Sequence, residues 1–370
     1  MRRVFFHVQH LLGIGHIRRA AVLARTLAAS GFDVLLVSGG APLHLEIGSA
    51  RFHQLPPVRA RDEGLRELSR LDGSPLDDAF RTGRTRQLLE LFRAEAPDVL
   101  ITEQFPFGRT QLRFELLPLL EAAQARRPKP LIVSSVRDIV RRSMSPQRVQ
   151  QAIDLCRRFD LILIHGDPTL IGFDRSFAGW QAIRARAAYT GYIAESNGEA
   201  GEDGMNEVLV SVGGGAVGAP LFRAASGARA GGTLADRTWR LLVGANFGDA
   251  VEARDGMIVE PARPDFRALL RNATLSISQA GYNTVVDTLC CANRAVLVPF
   301  GTDRETEQTD RARWLAERGI VACVPTPELS ADTLSAAIDR AMRGPSIRSF
   351  PACDLNGAAA TAALLHQRLS

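Results

Sequence analysis

The chain has 370 residues, 46% of them hydrophobic, with a formal charge of +5 and a pI near 9.3. That length favours two domains. The basic balance is an arginine bias: Lys129 is the only lysine, and the arginines are scattered without interleaved aromatics, which argues against a dedicated nucleic-acid binder.

The opening MRRVFFHVQHLLGIG has the flavour of a leader, but His7, Gln9 and His10 interrupt its apolar run and no small-residue cleavage pattern follows. No run approaches the ~18 apolar residues of a membrane span. The chain is therefore expected to be soluble and cytoplasmic. Cys156, Cys290, Cys291, Cys323 and Cys353 form no CxxC pair. They read as buried reduced thiols, and no metal site can be argued from them.

Short apolar runs then alternate with longer amphipathic ones, the pattern of parallel sheets covered by helices. Strands are predicted at 4–8, 33–38, 99–102, 131–134 and 161–165, with helices at 17–29, 81–94, 110–125 and 146–158. Residues 194–206 (AESNGEAGEDGMN) are polar and Gly-rich with no apolar period, which predicts an interdomain linker. The alternation restarts with strands at 207–212, 239–243, 257–259, 275–278, 295–298 and 321–324. Helices are predicted at 220–229, 265–271, 282–291, 306–318 and 331–342, and the Ala-rich 357–369 reads as a last helix. The fold class is α/β, with two doubly wound Rossmann-like domains facing a cleft. The expected boundaries are 1–194, 207–350, and a C-terminal segment 351–370 returning to the first domain.

In such sheets ligands bind beyond the carboxyl ends of strands, so the loops there are the informative ones. After the first strand come Gly13, Gly15 and His16, with Arg18 where a dinucleotide fingerprint would need its third glycine. His16 is either a helix-start residue with a structural hydrogen bond or a general base, since imidazole titrates near neutrality. Glu103 follows the third strand and is either a solvated loop carboxylate or the group that orients His16 and stabilises its imidazolium. Arg137 either holds an anionic acceptor group or pairs with Asp138. Gly213, Gly214 and Gly215 suit a phosphate cradle of backbone N–H groups, or a plain flexible turn.

Residues 278–308 carry the strongest signal. Gln279, Gly281, Asn283 and Thr284 sit at a helix start, where short polar groups and the helix dipole favour a diphosphate. Asp287, one turn on, is an acceptor suited to ribose hydroxyls. Glu307 and Gln308 offer acceptors and donors for a sugar.

These residues resemble the GT-B glycosyltransferases. The resemblance spans nearly the whole chain, strongest over 205–320, and is closest to the group containing the peptidoglycan enzyme that adds N-acetylglucosamine to lipid-linked muramyl-pentapeptide (the family 28 C-terminal-domain type). A set of bacterial predicted glycosyltransferases shares GxGHxxR at the start and QAGYNT later. The resemblance implies an inverting, metal-independent enzyme that needs no cofactor and uses a UDP-sugar as co-substrate. His16 would be the base and Glu103 its partner. Gly213–Gly215, Arg263, Gln279, Gly281, Asn283, Thr284, Asp287, Glu307 and Gln308 would hold the donor. Gly13, Gly15, Arg18, Arg137 and Asp138 would lie on the acceptor side. Arg19 stands where the family often has proline, and the GxGHxxR form also resembles nucleotide-sugar hydrolases of the same fold. Transfer, hydrolysis, sugar epimerisation and non-catalytic binding therefore stay open at this stage. The acceptor is a hydroxyl, lipid-linked or small. The segments 105–109 and 137–144 are expected to offer peripheral membrane contact.

Overall fold

The computed structural model describes residues 1–11, 13–61, 67–140, 144–195, 201–212, 218–244, 254–301, 306–351 and 353–370. The chain divides into two compact units, residues 1–194 with 354–370, and residues 195–353.

In the first unit the elements are β1 (Arg3–Val8), α1 (Gly15–Ala29), β2 (Asp33–Ser38), β3 (Arg51–Gln54), β4 (Arg59–Ala60), β5 (Leu68–Ser69), α2 (Asp78–Glu95), β6 (Val99–Glu103), α3 (Arg113–Ala125), β7 (Leu131–Arg137), α4 (Pro146–Cys156), β8 (Leu161–His165), α5 (Trp180–Ile183) and β9 (Ala187–Tyr189). Seven strands form one parallel sheet in the order β3-β2-β1-β6-β7-β8-β9. Its inner strands are apolar at consecutive positions because both faces are covered. One face packs Phe5, Leu100 and Ile132 against Leu88 and Phe92 of α2 and Leu116 of α3. The other packs Phe6, Leu36 and Ile101 against Ile17 and Leu27 of α1 and Leu365 of the C-terminal helix.

The second unit contains β10 (Val208–Ser211), α6 (Ala219–Gly231), β11 (Trp239–Val243), β12 (Met257–Pro261), α7 (Phe266–Asn272), β13 (Leu275–Ser278), α8 (Tyr282–Cys291), β14 (Ala295–Leu297), α9 (Glu307–Glu317), β15 (Ala322–Cys323) and α10 (Ala331–Arg343). Its parallel sheet runs β12-β11-β10-β13-β14-β15. The chain then re-enters the first unit as α11 (Gly357–Leu369). A Cβ at Gly357 would meet the Gly191 carbonyl oxygen at 2.3 Å, so only glycine lets this helix start so close to the backbone. His366 stacks on Phe32, ring centroids 4.3 Å apart, and bonds the Ser30 carbonyl at 2.9 Å.

The strands β3 and β9 and the short β4–β5 pair were not legible as apolar runs. Arg51–Gln54 is polar and partly exposed, as an edge strand is allowed to be. The predicted helix at 110–125 divides into a 3₁₀ turn, Thr110–Leu112, and α3.

Candidate functional site

The strand order of each sheet reverses once, between β1 and β6 in the first and between β10 and β13 in the second. The crevice outside the carboxyl ends at such a point is where doubly wound sheets bind ligands.

In the first unit the two elements flanking that point bring His16 and Glu103 together. His16 lies in the first turn of α1 and Glu103 closes β6. The His16 Nδ1 to Glu103 Oε1 distance is 2.7 Å. Glu103 is no solvated loop residue: its side chain is fully buried, against 17% exposure for His16. Arg19, one turn further along α1 and also buried, donates to the same Glu103 oxygen. The residue that departs from the family's proline is thus the counter-charge of Glu103. Burial works to raise the Glu103 carboxyl, but His16, Arg19 and Arg109 outweigh it and hold it well below the usual range. Burial, then the Arg137 and Arg109 charges, push His16 down to about 3 against the pull of Glu103, so the imidazole is neutral at pH 7. With Nδ1–H donated to Glu103, Nε2 carries the lone pair.

A buried polar network below this pair was not anticipated. Arg84 of α2 makes a two-pronged contact with Glu115 of α3, at 2.6 and 3.1 Å, and donates to Gln9 Oε1 at 2.9 Å. Gln9 in turn donates to the His10 and Val58 carbonyls, and Arg109 donates to the Gln9 carbonyl at 2.6 Å. This network anchors the loop that leads from β1 to His16. Its sole trace in the sequence is that Arg84 falls on the apolar stripe Arg84–Leu88–Phe92.

Of the acceptor-side residues, Gly15 opens α1, Gly13 and Arg18 are exposed, and Arg137 ends β7 close enough to act on His16. A Cβ at Gly13 would meet nothing within 4 Å among the described residues. Asp138 is fully buried. It accepts from its neighbour Ile139 N–H at 2.9 Å and from the Tyr192 hydroxyl at 3.3 Å, which points its carboxylate into the fold. Residues 105–109 cannot serve as a membrane-facing loop: Phe105 is fully buried and Phe107 packs edge-on against Phe173 and Phe177. Residues 141–143 of the other proposed segment lie outside the described residues, and Ile139 and Val140 are buried. Among the described residues no helix is long and apolar enough to cross a membrane.

In the second unit β13 ends at Ser278 and α8 begins four residues later, with Gly281 as its N-cap. As a glycine, this N-cap has no side chain of its own to cap the helix. Among the described residues, a Cβ on Gly281 would meet only Thr284 Oγ1, at 4.0 Å. Asn283, Asp287 and Cys290, at i, i+4 and i+7, share one partly exposed stripe of α8. Gln279 and Thr284 are also partly exposed. Beside them, Ser211 and Ser278 are partners in register at the ends of β10 and β13. Both hydroxyls are buried and have no hydrogen-bond partner among the described residues. Sequence reasoning missed them because serine in a strand is unremarkable until register pairs it.

Other donor-side residues are partly committed. Gln308 Oε1 accepts from Ala280 N–H at 3.1 Å and Phe300 N–H at 3.2 Å, tying the α8 turn to the loop after β14. Glu307 pairs with the buried Arg311 at 2.9 Å, and Arg311 also donates to the Ala280 carbonyl at 3.0 Å. Arg311, absent from the sequence reading, thus underpins the Gln279–Thr284 turn. Asp287 Oδ1 lies 3.2 Å from Arg267 Nε. Arg263 pairs with Asp265 at 2.8 and 2.6 Å and with Asp203 at 2.8 Å. Gly213, Gly214 and Gly215 lie outside the described residues.

Residues 210–361 match the model of the glycosyltransferase family 28 C-terminal domain. The match lies mostly in the second unit and ends within α11. The family 28 match takes in both flanks of the switch point, the whole of α8, Glu307 and Gln308. A UDP-N-acetylglucosamine--N-acetylmuramyl-(pentapeptide) pyrophosphoryl-undecaprenol N-acetylglucosamine transferase of Thiobacillus denitrificans is 38% identical over 79 residues, 20% of this chain and 22% of that protein. The chain therefore aligns with less than a quarter of that relative's length. Over the whole chain the likeness is one of fold. The glycotransferase of kitacinnamycin superposes with a TM-score of 0.65 at 15% identity, covering 100% of this chain and 99% of that one. The spinosyn rhamnosyltransferase SpnG, complexed with thymidine diphosphate, gives 0.60 at 18% identity, with coverage of 100% and 96%. The fold is that of the GT-B glycosyltransferases.

Proposed function

We propose that this protein is an inverting glycosyltransferase that moves a hexosyl group, N-acetylglucosamine first among the sugars to test, from a UDP-sugar to a hydroxyl acceptor. The observation that carries the reading is the start of α8 at a glycine N-cap with the Asn283–Asp287 stripe beside it, inside the family 28 match. The name of the Thiobacillus relative, with its UDP-sugar donor and lipid-linked acceptor, and the thymidine diphosphate in the SpnG structure support a nucleotide-sugar donor.

In this reading Asp287 accepts from the ribose hydroxyls. Gln279, Asn283, Thr284 and the α8 N-terminus meet the diphosphate, and Glu307 with the Gln308 amide nitrogen meets the sugar. His16 Nε2 takes the proton of the acceptor hydroxyl as that oxygen attacks the anomeric carbon and the bond to the diphosphate breaks. One displacement of this kind inverts the anomeric centre. A base with so low a proton affinity is weak alone. The Glu103 carboxylate, 2.7 Å from Nδ1, offsets this by stabilising the imidazolium as it forms. The charge that grows on the leaving diphosphate is met by fixed donors and the helix dipole, which do the work without a metal. Turnover requires the donor held by the second unit to reach His16 of the first.

The test is a panel of UDP- and TDP-sugars screened by thermal shift, followed by product analysis with the best binder, with and without lipid-linked and small hydroxyl acceptors. Transfer product that requires an acceptor supports the proposal. Free sugar formed at the same rate without acceptor establishes hydrolysis instead, and absence of any nucleotide-dependent shift overturns the donor reading.

A further inference from the structure

Cys156 and Cys291 are buried as expected, whereas Cys290, Cys323 and Cys353 are partly exposed. Cys290 shares the stripe of Asn283 and Asp287, one turn beyond the carboxylate assigned to the ribose. Arg267, from the neighbouring α7, spans the two: its Nη2 donates to Cys290 Sγ, and its Nε lies 3.2 Å from Asp287 Oδ1. Other charged or titratable groups packed here include Arg271 of α7, 3.8 Å from Cys291 Sγ, Arg348, which donates to the Cys291 carbonyl at 3.1 Å, and Cys291 itself. The thiol of a partly exposed residue beside a guanidinium, with a second thiol adjacent, is in the setting that favours a thiolate.

We propose that Cys290 is a modification site for low-molecular-weight disulfides, and that its modification weakens nucleotide binding by displacing Arg267 from Asp287. The consequence for binding rests on the assignment of Asp287 to the nucleotide; the reactivity of the thiol does not. In the step itself the Cys290 thiolate attacks one sulfur of the disulfide, the S–S bond breaks, and the other sulfur leaves as a thiolate. Cys290 is thereby oxidised to the mixed disulfide and the leaving sulfur is reduced. The added group needs the space beside the sulfur where Arg267 Nη2 lies. Neighbouring groups support the assignment. The Cys291 S–H donated to Cys290, followed by Arg267, brings the Cys290 thiol down to about 6 despite burial, whereas burial pushes Cys323 up to about 11 and Cys156 to about 12.

The assay uses the full chain and 5,5′-dithiobis(2-nitrobenzoate) at pH 6. A thiol of pKa 6 is half thiolate there, against about a thousandth for an ordinary thiol of pKa 9. The lower nucleophilicity of the more acidic thiolate returns a factor of ~15–30, leaving Cys290 about 15–30-fold faster. One fast thiol is expected, mapped to Cys290 by peptide mass and absent in Cys290→Ser. It should slow toward the other thiols in Arg267→Gln while Arg267→Lys retains most of it. Modified protein should bind UDP at least tenfold more weakly, with recovery on adding dithiothreitol, and Cys290→Ser should bind normally and be immune to the reagent. Cys290 reacting no faster than the remaining thiols overturns the modification site. Modified wild-type protein that binds UDP unchanged overturns the coupling. If neither untreated wild type nor Cys290→Ser binds UDP, the donor assignment fails, and the labelling rates decide the modification site by themselves.

Discussion

Replacing Glu103 with glutamine separates two jobs the structure gives one carboxylate. Glu103 is fully buried, holds His16 Nδ1 at 2.7 Å and neutralises the buried Arg19. Glutamine can still accept from Nδ1–H, but it leaves the Arg19 guanidinium without its counter-charge. Stranding one member of a buried ion pair costs about 3–5 kcal/mol, in line with ~4 kcal/mol for unit charges about 4 Å apart at an effective dielectric near 20. Loss of a charged hydrogen-bond partner to the imidazolium costs about 1.5–3 kcal/mol in the transition state, a fall in kcat of roughly 10–150-fold. The double variant Glu103→Gln/Arg19→Met removes the stranded charge while keeping an apolar stem of similar reach. It should therefore recover most of the stability and none of the turnover. Urea unfolding of wild type, both single variants and the double variant, with nucleoside diphosphate release as the rate assay, completes the cycle. A Glu103→Gln loss below about 1 kcal/mol would show that no buried ion pair is present. Restored turnover in the double variant would make Glu103 purely structural.

Four further outcomes follow from the same geometry. Because His16 is held near 3, the free enzyme's base stays deprotonated in mild acid, so kcat/KM should be flat from pH 8 to pH 5; an ordinary imidazole would lose about 30-fold by pH 5, and a break near 6.5 would refute the assigned environment. Glu115 is held down to about 2, chiefly by Arg84 once burial is overcome. Its depressed value stabilises the fold by about 3 kcal/mol above pH 4.5, and this is lost as pH falls from 4.5 toward 2, so Glu115→Gln should show a shallower acid limb in urea unfolding. Gly281→Ala should leave stability within about 0.5 kcal/mol, since φ is −61° and, among the described residues, the added methyl meets only Thr284 Oγ1 at 4.0 Å; yet UDP affinity by calorimetry should drop tenfold or more, and unchanged affinity would mean that no ligand approaches this backbone. Asp287→Asn should weaken UDP binding by about tenfold, and less for a nucleotide analogue lacking ribose hydroxyls; an equal loss for both would remove the ribose contact.

Much of the fold was readable because the inner strands of a doubly covered parallel sheet must be apolar at consecutive positions, as in Asp33–Ser38 and Leu161–His165, whose predicted bounds match the structure. Edge strands such as Arg51–Gln54 carry no such demand and left no pattern. The site was legible where it is local: Gln279 to Asp287 lie within two helical turns, and His16 follows its strand by one short loop. What the sequence withheld was pairing across elements. Arg19 was visible as a departure from proline but not as the counter-charge of a glutamate 84 residues away. Arg84 meets partners 31 residues away at Glu115 and 75 away at Gln9, pairings that no local pattern announces. Arg267 reaches Cys290 across 23 residues, and that contact is what makes one of five cysteines distinctive. The aromatic loop after β6 was misread for the same reason: Phe105 and Phe107 are apolar because they fill the core between β6 and the segment around Phe173.

The central claim is that one unit binds the nucleotide and His16 of the other performs the transfer. Its most direct test is to measure UDP affinity and turnover together in His16→Ala. The account predicts affinity equal to wild type and turnover reduced by at least 100-fold, the upper part of the range for losing a general base. Turnover within a few-fold of wild type, or UDP affinity lost together with activity, would contradict it.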